Sequence, residues 1–179
     1  MERAELLDKI LRVYAPCYDI EVIEQPETPL VAKAAFHEHG AGYVLSKRAE
    51  LWRADRHEYV WFYSVPHLTE AFVRESLRQV VAEGEPLVDP KPDHMSTTLA
   101  AIFLCDDADE EALNAVKTCR IRKSFQFSLW GWMEVQTAAA EMGRAAVTGN
   151  TCARDTAKFL KNLLHPKLER KKTHFFKIK

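Results

Sequence analysis

The sequence predicts an α+β fold: a three-stranded antiparallel meander extended into a mixed sheet, covered by about four helices. Three observations predict it. Apolar residues recur at three- and four-residue spacing over residues 2–14, 69–83, 109–119 and 151–164, the period of a helix with one buried side. From Leu30 to Val65 the period falls to two, the signature of strands. The run MSTTLAAIFLC ends in unbroken apolar residues, which suits a strand buried on both faces in the middle of a sheet.

In the first helix Leu6, Leu7, Ile10 and Leu11 share a side, and Pro16 stops the helix. The prolines of IEQPETPL predict an extended connector. Three strand-like runs follow, near 30–38, 43–52 and 58–65, with turns expected at His39–Gly42 and Ala54–His57. Ala32, Ala34 and Phe36 share one face of the first run, leaving Lys33, His37 and His39 on a wetter one. Thr69 is placed to cap the second helix and Gly84 to end it. The acids of DDADEE read as favourable charge at the start of the third.

Lys123 to Met142 alternates over some fifteen residues, and a bulge or bend at Gly131 is expected to divide it. Phe125, Phe127, Leu129, Met133 and Val135 fall on the expected core side. Trp130 and Trp132 fall on an otherwise polar side, where the last helix is the expected cover. A short strand near 144–148 precedes that helix, which Asn150 or Thr151 is placed to cap.

With 47% hydrophobic and 28% charged residues over 179 positions, the composition is that of a folded domain, expected over 1–164 with a basic tail at 165–179. No apolar run approaches the roughly 20 residues of a membrane span, and the first ten residues do not read as a signal peptide. A cytoplasmic protein without membrane association is therefore expected. Cys17, Cys105, Cys119 and Cys152 have neither CxxC nor zinc-like spacing and read as reduced thiols, buried at Cys105 and Cys119. There is no glycine-rich phosphate loop, GxSxG, HExxH or dinucleotide fingerprint, and no cofactor is expected.

Charge is split unevenly. From Arg154 onward nine basic side chains face two acidic ones, a balance of +7, while the remaining 153 residues carry −8. Arg154, Lys158 and Lys161 form one stripe on the last helix. Arg170, Lys171 and Lys172 continue it into the tail beside Phe175 and Phe176. Basic groups interleaved with aromatics suit nucleic acid or an acidic protein. The leading expectation is a non-enzymatic binding or accessory domain that uses this segment together with Trp130 and Trp132. The other is a metal-dependent nuclease or hydrolase on the meander. There His37 and His39 are the candidate ligands, completed by Asp55, His57 or Glu58 of a neighbouring strand.

The element order from Ala4 to about Trp130 (helix, three-strand meander, helix, strand, helix, strand) resembles the restriction-endonuclease-like fold. That resemblance implies an acid late in the second meander strand, where Glu50 and Asp55 stand, and an acid-x-lysine on the third. Glu58 fits the acid, but Val60 stands where the lysine is implied.

Overall fold

The period-two segment from Leu30 folds into two long strands rather than three short ones. The computed structural model describes residues 1–24, 28–43 and 50–166. Its elements are α1 (Arg3–Tyr14), β1 (Asp19–Val22), β2 (Leu30–Tyr43), β3 (Glu50–Leu68), α2 (Glu70–Gly84), β4 (His94–Ala108), α3 (Glu110–Thr118), β5 (Arg122–Ser124), β6 (Trp132–Glu141), β7 (Ala146–Gly149) and α4 (Arg154–Leu164). The seven strands make one mixed sheet in the order β1-β2-β3-β4-β6-β5, with β7 pairing a further length of β6. The α+β class, the antiparallel meander, the mixed sheet and four helices among the described residues are as expected.

The membership of the meander differs from expectation. The residues taken for turns, His39–Gly42 and Ala54–His57, all lie within the β2–β3 ladder, where His39 pairs with Asp55 and Gly40 with Ala54. Histidine, glycine and charged residues pass for turn signals. Here they stand in two paired strands, so period and composition compete and the period wins. The third strand is β1, which lies between Pro16 and the expected connector and pairs Asp19–Val22 with Ala32–Ala35.

β4 lies between β3 and β6, parallel to both. Its alternate residues feed two cores, which is why the run from Leu99 to Cys105 is unbroken apolar. Leu99, Ala101 and Phe103 pack with Trp61, Tyr63 and Val135 beneath Val73, Leu77 and Val80 of α2 and Val116 of α3. Ala100, Ile102 and Leu104 pack with Val60 and Phe62 beneath Leu6 and Ile10 of α1 and Leu160 of α4. The small Ala32, Ala34, Ala138 and Ala140 let α1 and α4 approach the second face. The Thr69 hydroxyl accepts the Phe72 N–H at 3.3 Å and caps α2, as its position predicts.

Asn150 ties the C-terminal elements together. Its buried side chain accepts from the N–H groups of Ala153 (3.0 Å) and Thr137 (3.3 Å), and donates to the carbonyls of Val135 (2.9 Å) and Cys119 (3.1 Å). It thereby serves the start of α4, whose first-turn cap position is Ala153. The side-chain cap expected from Asn150 or Thr151 is therefore not formed, since α4 starts from Ala153 without one, and Asn150 instead holds the segment that leads into the helix.

Candidate functional site

α2 and α3 cover β3, β4 and β6 on one face of the sheet, but the same face of β1 and β2 lies beside them uncovered. The uncovered strip carries the odd-numbered residues Lys33, Ala35 and His37 of β2 and, from β3, Tyr59 and His57. It has two parts, a cleft at one end and a histidine cluster at the other.

The cleft, about 690 Å³, runs between β1–β2 and the end of α2. Tyr59 and Trp61 form its aromatic floor, and Ile20, Ala35, Ala82 and Pro86 line its walls. Glu83 organises its polar end. The carboxylate accepts from Lys33 Nζ at 2.9 Å, from Trp61 Nε1 at 2.8 Å and from Gln79 Nε2 at 2.8 Å. Burial would raise its pKa, but these three donors outweigh burial and hold it below the ordinary carboxyl range.

Tyr59 joins the cleft to the cluster, its ring lying edge-on to His37 with centroids 5.6 Å apart. The ladder sets His37 opposite His57, and their Nδ1 atoms approach to 2.9 Å. The rings of His57 and His94 are stacked with an interplanar angle of 9°. His94 is buried and fixed in one tautomer: Nδ1 donates to the Trp130 carbonyl at 2.8 Å, so Nε2 accepts from the Thr97 hydroxyl at 2.9 Å. Asp55, only 3% exposed, pairs with Lys91 at 3.3 Å. The register brings two further neighbours to Asp55, His39 on β2 and His94 on β4.

The strands therefore bring His37, His39, Asp55 and His57 to four adjacent positions on one sheet face, two on each strand. The side chains of His39 and Glu50 lie outside the described residues, although both are paired in the ladder. Among the described residues no three histidine, cysteine or acidic groups converge as a metal-ligand set.

A family model described as Domain of unknown function (DUF8052) matches residues 2–162. The chain belongs to that family. Comparison of this DUF8052 chain with curated proteins and with solved structures returns no match.

The other sequence-derived candidates are scattered. Glu58 faces away from Asp55, into an aromatic cup on the α1–α4 side, where Tyr18 donates to its carboxylate at 2.9 Å. There the Tyr14 ring contacts Tyr18, Phe62 and Phe159, and Tyr18 contacts Phe36, in tilted and edge-on arrangements. Burial raises the Glu58 carboxyl, and the Tyr18 bond offsets part of that rise. The acids that the endonuclease-like resemblance singles out, Asp55 and Glu58, are thus parted by the sheet, and the Val60 side chain is buried in the second core.

In the aromatic stretch the division at Gly131 is present, with φ at +73°. Beyond it Met133, Val135 and Thr137 are buried as expected. Before it the strand is only three residues long, and Phe127 and Leu129 are 97% and 76% exposed rather than in the core. Gln126, Phe127 and Ser128 all take left-handed backbone angles (φ 46°, 53° and 69°), so alternation breaks off and both side chains turn outward. Trp130 is 37% exposed, and Trp132 lies half-buried beneath the Arg122 guanidinium, 4.9 Å from its ring. α4 rests further along the sheet, where Thr156 bonds Gln136 at 3.1 Å, instead of serving as the expected cover over the tryptophans.

Arg154, Lys158 and Lys161 are all exposed on α4, and none has an acidic partner among the described residues. Arg170, Lys171 and Lys172 lie outside the described residues. All four cysteines are free. Cys105 is buried, Cys119 half-buried, and Cys17 and Cys152 are exposed. Burial pushes the Cys105 thiol up to about 12, so it is unreactive at neutral pH.

Sequence reasoning reached His37 and His39 and named Asp55 and His57 as possible partners. It missed His94, the Tyr59–Trp61 floor and the Lys33–Glu83 pair. The odd-residue pattern around HEYVWFY marks the floor once the strand is known to run unbroken from Glu50. His94 follows a proline-bearing loop and gives no local signal.

Proposed function

We propose that the chain binds a divalent transition-metal ion between His37 and His57, with Asp55 and His39 on the next rung as the positions from which further ligands would come, and uses it hydrolytically on a ligand held in the adjoining cleft. One observation carries the reading: a cross-strand register that sets His37 against His57 and His39 against Asp55. Metal–nitrogen bonds of about 2.0–2.1 Å put two nitrogens on one ion roughly 2.9–3.4 Å apart, and the His37 and His57 Nδ1 atoms have that spacing. Imidazole with a carboxylate suits zinc, iron or manganese, and an ion so held lowers the pKa of bound water enough to make a nucleophile near neutral pH. Asp55, one rung along, is charge-paired with Lys91 at 3.3 Å.

Calorimetric titration of the chelator-treated full chain with zinc and with manganese tests this. One ion should bind per chain and raise Tm, and His37→Ala or His57→Ala should remove most of that rise. Equal shifts in the parent and both variants would refute the assignment.

A second reading is supported by the exposed Arg154, Lys158 and Lys161, which lack acidic partners among the described residues: α4 meets a polyanion. It requires affinity for single-stranded nucleic acid that falls steeply with salt and is reduced in a Lys158→Glu, Lys161→Glu double variant. Affinity indifferent to both would exclude it.

A further inference from the structure

We propose that the cleft beside α2 is selective for a small organic cation with a flat apolar body, such as an arylalkylamine. The inference rests on the cleft being the ligand-bearing part of the site proposed above, but its test is made without metal.

The size of the cleft is that of a small-molecule site rather than of a packing defect. Its floor is aromatic and unequally exposed. Trp61 is 3% exposed and locked by its bond to Glu83, while Tyr59 is half-buried and presents part of its ring to the opening. Aromatic rings over an apolar base attract cations as well as flat hydrocarbon.

The charges of the lining decide the sign. Asp19, Glu21, Lys33 and Glu83 are its charged members. Lys33 stands opposite Glu21 in the β1–β2 ladder, yet its ammonium reaches to Glu83, so those two groups neutralise each other. Asp19 and Glu21 share the cleft-side face of β1, being paired with Ala35 and Lys33, and neither forms an ion pair among the described residues. The lining is therefore left with two uncompensated carboxylates. His37, the nearest titratable group on β2 beyond the lining, adds no negative charge. An anion entering the cleft would meet Asp19 and Glu21 without compensation, whereas an ammonium group finds them at the rim while its apolar part covers Tyr59.

Three isosteric probes separate charge from shape: 2-phenylethylamine, 2-phenylethanol and phenylacetate, titrated calorimetrically into the chelator-treated full chain. The amine should bind about tenfold more tightly than the alcohol, with phenylacetate weakest. An Asp19→Asn, Glu21→Gln double variant, altering only exposed side chains, should remove the preference without changing Tm. Tight binding of phenylacetate, an unchanged preference in the double variant, or no binding of any probe would overturn the proposal. Since metal is absent throughout, each result stands apart from the outcome at the histidines.

Discussion

Across the β2–β3 ladder, His37 and His57 bring their Nδ1 atoms to within 2.9 Å of one another, while the neighbouring His94 spends both ring nitrogens on Trp130 and Thr97. The three rings are contiguous but have different work. His94→Ala should lower stability by about 2–4 kcal/mol in the absence of metal, because it opens a buried space and leaves the Trp130 carbonyl and Thr97 hydroxyl short of a partner. His37→Ala, on an exposed side chain, should change metal-free stability by no more than about 0.5 kcal/mol. Urea denaturation of both variants checks the contrast.

Glu58 makes stability depend on pH in a stated direction. Burial raises its carboxyl above the ordinary value of 4.5 in the folded chain. Between that value and the folded-state one, the native chain keeps a proton that the unfolded chain has released, so stability falls as pH rises through the window. The benefit is complete below about 4.5 and lost above the folded-state pKa. Glu58→Gln should flatten this part of the profile and leave the chain more stable than the parent at neutral pH, since the side-chain carbonyl can still accept from Tyr18. Chemical denaturation at a series of pH values decides it. A parent profile without that fall would contradict the buried-carboxyl account.

Asn150 serves four backbone groups from one buried amide. Asn150→Ala should therefore cost about 3–4 kcal/mol, several times a typical single hydrogen bond, because buried partners are left unmet. Asn162→Ala, on the exposed side of α4, should stay within about 0.5 kcal/mol. Tm shifts measured side by side give the ratio.

The turn before β6 allows a pair of opposite substitutions. A Cβ at Gly131 would lie 2.6 Å from the His94 carbonyl oxygen and would need a left-handed backbone, so Gly131→Ala should destabilise by about 2–4 kcal/mol. Phe127, nearly fully exposed with φ at 53°, carries a strained backbone without a buried side chain to offset it. Phe127→Gly should be neutral or stabilising by up to about 1 kcal/mol. Calorimetry on the two variants gives the comparison, and a large loss at Phe127 would mean that its ring does work in the folded chain.

Helix positions, the central β4 and the faces of β2 were legible because each is governed by a local rule: capping, the 3.6-residue period, or alternation. The register was not. His37 and His57 are twenty positions apart, and nothing near either specifies that they meet. Glu58 and Asp55, three apart and close in the sequence, end on opposite faces through strand parity alone. At Gln126–Ser128 the alternating pattern continued while the backbone left the extended region, which cost the reading of Phe127 and Leu129. Lys33–Glu83 and the cleft arise from how α2 lies across the sheet, a tertiary fact with no short-range trace.

The β2–β3 ladder continues past the rest of the sheet. β4 begins to pair with β3 only at Asp55, so among the described residues the rungs joining Gly40–Tyr43 to Glu50–Ala54 have no third strand beside them. The histidines thus stand at the root of a two-stranded arm. An ion gripping both strands at that root would act as a rivet, and amide exchange in the outer rungs would slow on metal addition although no ligand lies among them. Occupancy at the base would be legible at the tip.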